Sequence, residues 1–280
     1  MVVATLPDFF NLKSDAPIQL FDYHNQKNID RSKVSLSKNT ISFLQSGLKE
    51  VIGNDGVARI SNDRFLVMNS GHCLMTEKIS LSNQEYRSIL LFFSDEAMLQ
   101  FLEKYDLLSK SRSQEQFFEV YQYDQFITGF VASLVHISKM STKEQDRLLK
   151  IKFEEIMLYL ANQYGTDFLN ALIQSKKPSL SHMEVVVERN KHNKLSLDEL
   201  AFLSHMSVST FKREFKSKYG EPPIKWFNEQ RLHHIAALIQ SGQKSPSEVF
   251  EEAGYDSLSN FIQAFKKQFG ITPKQYQLKN

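Results

Sequence analysis

The stretch "MSVSTFKREFKSKYG", residues 206–220, decides how the C-terminal part of this chain is interpreted. Phe211, Phe215 and Tyr219 are four residues apart, so they share one face of a helix that ends at Gly220. The positions between them then point outward, and most are basic: Ser209, Lys212, Arg213 and Lys216. The stretch therefore predicts a short helix with an apolar inner face and a positively charged outer face.

A second copy of this pattern follows in the sequence. Six residues recur 50 positions later, with Phe211, Phe215, Tyr219, Gly220, Pro223 and Trp226 matched by Phe261, Phe265, Phe269, Gly270, Pro273 and Tyr276. Upstream, Glu199 recurs as Glu248 at an offset of 49, so the second copy has one extra residue between its two helices. In the first copy Ser196 and Ser207 are suited to cap two successive helices. Each copy is therefore predicted to be a helix-turn-helix unit.

One long helix is predicted between the two units, over residues 223–241. Its length would be about 28 Å at 1.5 Å per residue. Successive major grooves on one side of a DNA duplex recur at about 34 Å. The second helices of the two units could therefore reach adjacent grooves.

Residues 182–276 resemble the paired helix-turn-helix DNA-binding domain of the AraC/XylS family of bacterial transcription regulators. The resemblance rests on "LSLDELAFLSHMSVSTFKREFKSKYG", "PIKWFNEQRLHHIAALIQSG" and "SPSEVFEEAGYDSLSNFIQAFKKQFGITPKQY". Three residues depart from the family pattern, since Phe250 and Ile235 replace common alanines and Gln277 replaces a common arginine. These differences affect packing and leave the expected fold unchanged.

The resemblance implies which side chains face DNA. In the first unit the implied base-contacting residues are Ser209, Lys212 and Arg213, of which lysine and arginine suit guanine O6 and N7. In the second unit the corresponding prediction is Leu258, Ser259 and Gln263, a weaker set for base recognition. Phosphate contacts are predicted for six lysines, namely Lys216, Lys218, Lys244, Lys266, Lys267 and Lys274. Direct readout is thus expected mainly from the first unit.

The N-terminal half has a different pattern. Residues 33 to about 93 contain short apolar runs typical of strands, with a hairpin signal at Asn54-Asp55-Gly56. From Asp95 onward, including residues 114–138, apolar residues recur three and four apart, which predicts helices. We therefore predict an α+β chain in which a small cupin-like or jelly-roll-like β domain with flanking helices precedes an all-α domain. The boundary is placed in "QSKKPSLS", giving a sensor or dimerisation domain over 1–177 and a DNA-binding domain over 178–280.

A helical stripe near the boundary has two interpretations. Leu149, Phe153, Ile156 and Leu160 are spaced 4, 3 and 4 residues apart. That spacing suits either the core of one chain or a seam between two protomers of a homodimer. The preceding domain loosely resembles the sensor half of the family, which implies a small-molecule or protein effector and, for an activator, contact with RNA polymerase. Activation is the more usual mode of regulation in the AraC/XylS family, so the resemblance favours an activator over a repressor.

Composition excludes several other classes. The single cysteine, Cys73, cannot form an internal disulfide or a zinc cluster, and His24, His72, His136 and the adjacent His233-His234 lack metal-site spacing. No metal, cofactor or catalytic residue is predicted. The stretch "MVVATLPDFFNL" lacks the pattern of a secretory leader, and no apolar run is long enough to span a membrane, so a cytoplasmic location is expected. Net charge is +2, and residues 181–280 carry 14 basic against 11 acidic residues.

Two other functions stay open at this level. One is a protein-binding module that uses its basic helices on an acidic partner. The other is a DNA-repair enzyme that shares the helix-turn-helix domain, although alkyl-transfer enzymes of that kind need several cysteines.

Overall fold

The computed structural model describes residues 3–12, 16–108, 117–173 and 180–278. Contacts within the chain divide it into two compact units, Met1–Ser179 and Leu180–Asn280. Within the described ranges, no helix has the length and apolar character needed to cross a membrane.

The N-terminal unit is built on two five-stranded sheets. One sheet has the strand order β1-β3-β8-β5-β6 and the other β10-β7-β4-β9-β2. All neighbours pair antiparallel except β1 and β3. The described strands are β1 (Ala4–Leu6), β2 (Ile18–Asn25), β3 (Ile29–Leu36), β4 (Asn39–Ser46), β5 (Leu48–Gly53), β6 (Gly56–Ile60), β7 (Arg64–Met68), β8 (Gly71–Lys78), β9 (Tyr86–Phe93) and β10 (Phe118–Gln122).

The two sheets pack face to face, and the second sheet is covered by helices on its other face. Along β9, Leu90 and Phe92 point into the core between the sheets, whereas Ile89 and Leu91 point into a second core beneath the helices. This alternation explains the apolar run "ILLFF", because a strand buried on both faces needs no polar positions. The unit has the α+β, two-sheet layout that the sequence predicts.

Among the described residues of this unit, four α-helices form the outer layer: α1 (Asp95–Lys104), α2 (Gln125–Ile137), α3 (Thr142–Tyr164) and α4 (Asp167–Ala171). The predicted hairpin is confirmed, since β5 and β6 are joined by Asn54-Asp55 with Gly56 at a φ of 123°.

The helix predicted across 114–138 is wrong at its start. Residues 118–122 form β10 at the edge of the second sheet, where Phe118, Val120 and Tyr121 favour an extended chain over a helix. The strands β1 and β2, before residue 33, were not predicted.

The stripe on α3 belongs to the core of a single chain. Leu149, Phe153, Ile156 and Leu160 are 0–2% exposed and pack beneath the second sheet, with the Phe153 ring 5.1 Å from that of Phe93. Side chains buried in this way are unavailable to a second protomer. Their assignment to a dimer seam is therefore wrong, and the intramolecular alternative holds.

The C-terminal unit is entirely helical over its described residues. It consists of α5 (Leu180–Asn190), α6 (Leu197–Leu203), α7 (Val208–Tyr219), α8 (Pro223–Gln240), α9 (Pro246–Val249), α10 (Leu258–Phe269) and α11 (Pro273–Leu278). Helices α6 and α7 form the first helix-turn-helix, α9 and α10 the second, and α8 joins them.

The capping residues confirm the repeat. Ser196 and Ser245, 49 residues apart, each form a capping box with the glutamate three positions on. Ser207 and Ser257, 50 residues apart, each accept a hydrogen bond from the backbone N–H three positions on. The extra residue of the second copy therefore lies between its two helices, as predicted.

Candidate nucleic-acid interface

Helix α7 has a buried aromatic face and an exposed basic face. Phe211 and Phe215 are completely buried, and the Phe215 ring contacts Tyr219 and Trp226 at centroid distances of 4.4 and 5.6 Å. The outward residues are all exposed: Ser209, Lys212, Arg213 and Lys216. The helix ends at Gly220, whose φ of 79° is the left-handed value that favours glycine. Its aromatic residues fix the orientation, so the basic face has to point to solvent.

The cations on this face differ in their partners. The Arg213 guanidinium donates to Oε1 of Glu214 through Nε at 3.1 Å and Nη2 at 3.0 Å. An exposed ion pair of this kind contributes about 0–1 kcal/mol, so a guanine edge can replace the carboxylate at small cost. Lys212 and Lys216 have no ion-pair partner among the described residues. Both ammonium groups could therefore bind a base or a phosphate without first giving up a carboxylate partner.

Helix α10 has the same inner face and a weaker outer face. Phe261 and Phe265 are completely buried, while Ser259, Gln263, Lys266 and Lys267 are exposed and Leu258 is 36% exposed. The position equivalent to Lys212 is Ile262, which packs half-buried against the hydrophobic core that α8, α9 and α10 form in the C-terminal unit. The middle of α10 thus has a single exposed polar side chain, Gln263, and its two lysines lie in the last turn.

The remaining lysines predicted to bind phosphate have mixed environments. Lys218 is ion-paired with Glu184 of α5 at 2.9 Å, and Lys244 with Glu252 at 2.5 Å. Lys274 is exposed on α11. Phosphate binding by Lys218 or Lys244 requires exchange of a carboxylate, whereas Lys274 is directly accessible.

One residue that sequence reasoning missed is Arg231 on α8. It lies four residues from both Phe227 and Ile235, which are 3% and 2% exposed, so its side chain starts on the inner face of the helix. Its guanidinium donates to the backbone carbonyls of Ala253 at 3.3 Å and Asn193 at 3.5 Å. Burial lowers its pKa from the ordinary value for arginine. An arginine on an apolar stripe of 227, 231 and 235 was the available signal.

Comparison with known proteins agrees with this geometry. Residues 200–279 match a family model described as a helix-turn-helix domain, and residues 39–172 match one described as the ExsA N-terminal regulatory domain. The chain belongs to the AraC/XylS family.

Two curated members of this family show how far the likeness extends. The thermoregulatory protein LcrF of Yersinia pestis is 33% identical over 132 residues, 47% of this chain and 49% of LcrF. The HTH-type transcriptional regulator ExsA of Pseudomonas aeruginosa is 27% identical over 150 residues, 53% of this chain and 52% of ExsA. The chain thus spans about half the length of the curated relatives it matches. An apo ToxT variant from Vibrio cholerae aligns over 95% of this chain and 99% of its own, with a TM-score of 0.45 and 13% identity.

In the N-terminal unit of this AraC/XylS member, a cavity of about 300 Å³ lies among strands of both sheets. Its walls are mostly apolar, with Phe10, Val34 and Met75 among them, and it has a buried polar end. There Lys49, 3% exposed, donates from Nζ to Ser42 Oγ at 3.1 Å. Burial lowers the pKa of Lys49, although the nearby Glu77 carboxylate opposes that effect. Glu77 in turn accepts a hydrogen bond from the Tyr23 hydroxyl at 3.0 Å.

The histidines do not form a metal site within the described residues, where no group of three metal-ligating side chains occurs. His233 and His234 point to different sides of α8, as the sequence predicts. The His233 ring lies against Phe269 at 5.2 Å, and the His234 ring stacks on His192 at 4.2 Å.

Proposed function

We propose that this protein binds duplex DNA sequence-specifically, places α7 and α10 in successive major grooves, and activates transcription through contact with RNA polymerase. The observation that carries this proposal is the duplicated unit in which buried aromatics orient an exposed face of Ser209, Lys212, Arg213 and Lys216. The relative VirF of Yersinia enterocolitica, 32% identical over 132 residues, is described as a virulence regulon transcriptional activator, which supports activation over repression.

The length of the connecting helix is compatible with two grooves. Helix α8 has 18 residues, which corresponds to about 27 Å at 1.5 Å per residue. This length is comparable with the groove repeat of about 34 Å. The proposal therefore places both recognition helices on one duplex.

The two recognition helices divide the work in this proposal. Lys212 and Arg213 read guanine edges in the first groove, with Ser209 beside them. In the second groove Gln263 and Ser259 read polar base edges, and Leu258 contacts a thymine methyl group. Phosphate contacts come from Lys216, Lys218, Lys244, Lys266, Lys267 and Lys274, and these set register and non-specific affinity.

The test is selection of duplexes from a random-sequence pool by the full-length protein, followed by a salt titration on the selected duplex. A DNA-binding regulator should give one enriched motif and a linear fall of log affinity with log salt. An acidic protein partner would instead leave the pool unenriched, which would overturn the proposal. Action by binding, and not by DNA-repair catalysis, is supported by the relatives VirF and ExsA, which are described as a transcriptional activator and a transcriptional regulator.

The cavity of the N-terminal unit is proposed to hold a small effector that is apolar over most of its surface and polar at the Lys49 end. A volume of about 300 Å³ is at the lower end of the range for ligand pockets. Native mass spectrometry of the full-length protein should show a discrete adduct that Val34→Phe, which fills the cavity, removes. Val120→Phe on the exposed edge strand is the control. Absence of an adduct, or an adduct in both variants, would contradict the effector site.

A homodimer is proposed through the outer face of α3, and not through its buried stripe. Ile151 is 64% exposed, with Leu148 and Leu158 half-buried on the same side. Light scattering should give a dimer for the full chain and a monomer for residues 180–280 and for Ile151→Lys, with Leu99→Lys on α1 as control. A full-length monomer would refute the dimer and leave the DNA-binding proposal intact.

A further inference from the structure

Arg231 links three segments of the C-terminal unit through one guanidinium. Its Nε donates to the Ala253 carbonyl at 3.3 Å, in the turn between α9 and α10. Its Nη1 donates to the Asn193 carbonyl at 3.5 Å, in the loop that leads into α6. Its Nη2 donates to Asn228 Oδ1 on α8 itself. One side chain on the connecting helix is thus bonded to both helix-turn-helix units.

The loop that receives Arg231 is itself fixed. Asn193 donates from Nδ2 to Asn190 Oδ1 at 2.9 Å. Asn190 is completely buried and donates to the Val186 carbonyl of α5 at 3.0 Å. Because buried polar groups of this kind hold a single geometry, a continuous set of hydrogen bonds connects α5 to the turn of the second unit.

A second set of contacts lies beside the guanidinium. Lys194 Nζ forms an ion pair with Asp256 Oδ1 at 3.3 Å. Gly254, with a φ of 90°, lies against both cations, because a Cβ built there would be 3.4 Å from Arg231 Nε and 3.5 Å from Lys194 Cδ. The loop before α6 and the turn before α10 are therefore in direct contact, in addition to their covalent connection through α8.

We propose that Arg231 is a positioning residue, whose guanidinium holds the two helix-turn-helix units at one relative placement and so sets the number of base pairs allowed between the two grooves they read. This inference rests on the proposed function for its consequence in DNA binding. Two DNA-binding units that are held in one relative placement bind most tightly to DNA whose base-pair spacing fits that placement. They lose little conformational entropy on binding, because they are already ordered. A looser connection would bind the matched spacing less well and other spacings with less discrimination.

The first test does not involve DNA. Spin labels at Ser217→Cys on α7 and Gln268→Cys on α10, both exposed, report the distance between the recognition helices in the full chain by pulsed electron paramagnetic resonance. Cys73 is completely buried and does not compete for the label. Arg231→Lys keeps the charge and loses the planar fork that reaches two carbonyls at once. We expect a distance distribution that is broader in Arg231→Lys than in the wild type.

The matched control is Lys225→Met on the same helix, which loses an exposed cation whose ion pairs within the described residues are with Glu221 and Glu229. It should leave the distribution unchanged. If Arg231→Lys gives the wild-type distribution, the inference is wrong. Lys194→Met provides an independent variant, since it removes the neighbouring ion pair and should broaden the distribution as well.

The second test measures spacing on the selected duplex. Each base pair inserted between the two contacted grooves rotates one relative to the other by about 34°. Two inserted base pairs should lower wild-type affinity about tenfold or more, and Arg231→Lys affinity by less than about threefold from its own starting value. Equal penalties in the two proteins would overturn the inference. If the wild type selects no duplex, the proposed function fails, and the distance measurement still decides whether Arg231 holds the units together.

Discussion

Helices α7 and α10 have equivalent inner faces and different outer faces. Each begins at a serine N-cap, buries two phenylalanines four residues apart, and ends at a glycine with a φ near 79°. On the outside, α7 has adjacent exposed cations at Lys212 and Arg213, where α10 has the half-buried Ile262 and the exposed Gln263. The duplicated inner face specifies the fold of each copy, and the outer face determines which groups each copy can bind.

The difference also shows where a repeat is free to change. The aromatic positions of each copy contact one another, with ring centroids 5.7 and 5.6 Å apart for the two phenylalanine pairs. A substitution there disturbs several neighbours at once. Exposed positions have few neighbours, so their identity can change without loss of the fold.

Removal of a core phenylalanine should have the largest effect, and the same effect in both copies. We expect Phe211→Ala and Phe261→Ala each to destabilise the C-terminal unit by about 3–5 kcal/mol, through lost burial and a cavity. Urea unfolding followed by the fluorescence of Trp226, the single tryptophan, measures it. Ser217→Ala and Gln268→Ala are exposed controls. If only one of the two variants lost stability, the two inner faces would not be equivalent.

Changes on the outer faces should be unequal. We expect Arg213→Ala to cost about 1–3 kcal/mol on the selected duplex and to relax preference at one base pair, whereas Gln263→Ala should cost less. Glu214→Ala, which frees the guanidinium, is the control and should not weaken binding. An Arg213→Ala protein with the wild-type motif and affinity would show that α7 does not read bases through this residue.

The lysines at the end of α10 should affect all sequences alike. Replacing both Lys266 and Lys267 by alanine should reduce the slope of log affinity against log salt by up to about 2, because each phosphate contact contributes about 0.9. Titrations on the selected duplex and on an unrelated duplex measure this, with Lys143 and Lys150 of α3 changed to alanine as the matched control. A changed preferred motif would mean that α10 reads bases through these lysines.

The glycine caps should give the smallest effect, again equal in the two copies. Gly220→Ala and Gly270→Ala force a side chain into the left-handed region, at a cost of about 1 kcal/mol. No atom lies within 4 Å of a Cβ built at either position, so steric clash adds nothing. Paired unfolding curves measure both variants, with Gly129→Ala in α2, where the backbone is not left-handed and a Cβ has space, as control. Unequal losses would indicate that one helix end makes a contact that the other lacks.

The C-terminal unit was the more predictable half, because its signals are local. The 50-residue repeat, the serine caps and the glycine ends each involve residues within one or two turns of helix, and the structure has them where the sequence places them. The contribution of Arg231 was missed because its partners, Asn193 and Ala253, lie 38 and 22 residues away in sequence. Every residue has a backbone carbonyl, so the identities of Asn193 and Ala253 do not indicate that they accept these hydrogen bonds.

The N-terminal unit was less predictable, because its strands pair across long separations. Strand β10 extends the second sheet only because β7 supplies a partner some 54 residues earlier, from Arg64 paired with Gln122 to Met68 paired with Phe118. Its own sequence is short and lies next to a true helix, α2, so the helical period of the neighbour dominated the prediction. The stripe on α3 was ambiguous because burial within a chain and burial between chains use the same spacing.

Strand β9 has a further consequence for measurement. It is bonded to β4 on one side and β2 on the other, and its residues from Ser88 to Phe93 are buried on both faces of the sheet. Amide protons in such a strand exchange with solvent only when the whole unit opens. Their exchange rate therefore reports the global stability of the N-terminal unit. Any molecule that binds its folded form must slow that exchange by a factor that rises with ligand concentration, so hydrogen–deuterium exchange at 88–93 would screen for effectors of any chemical class.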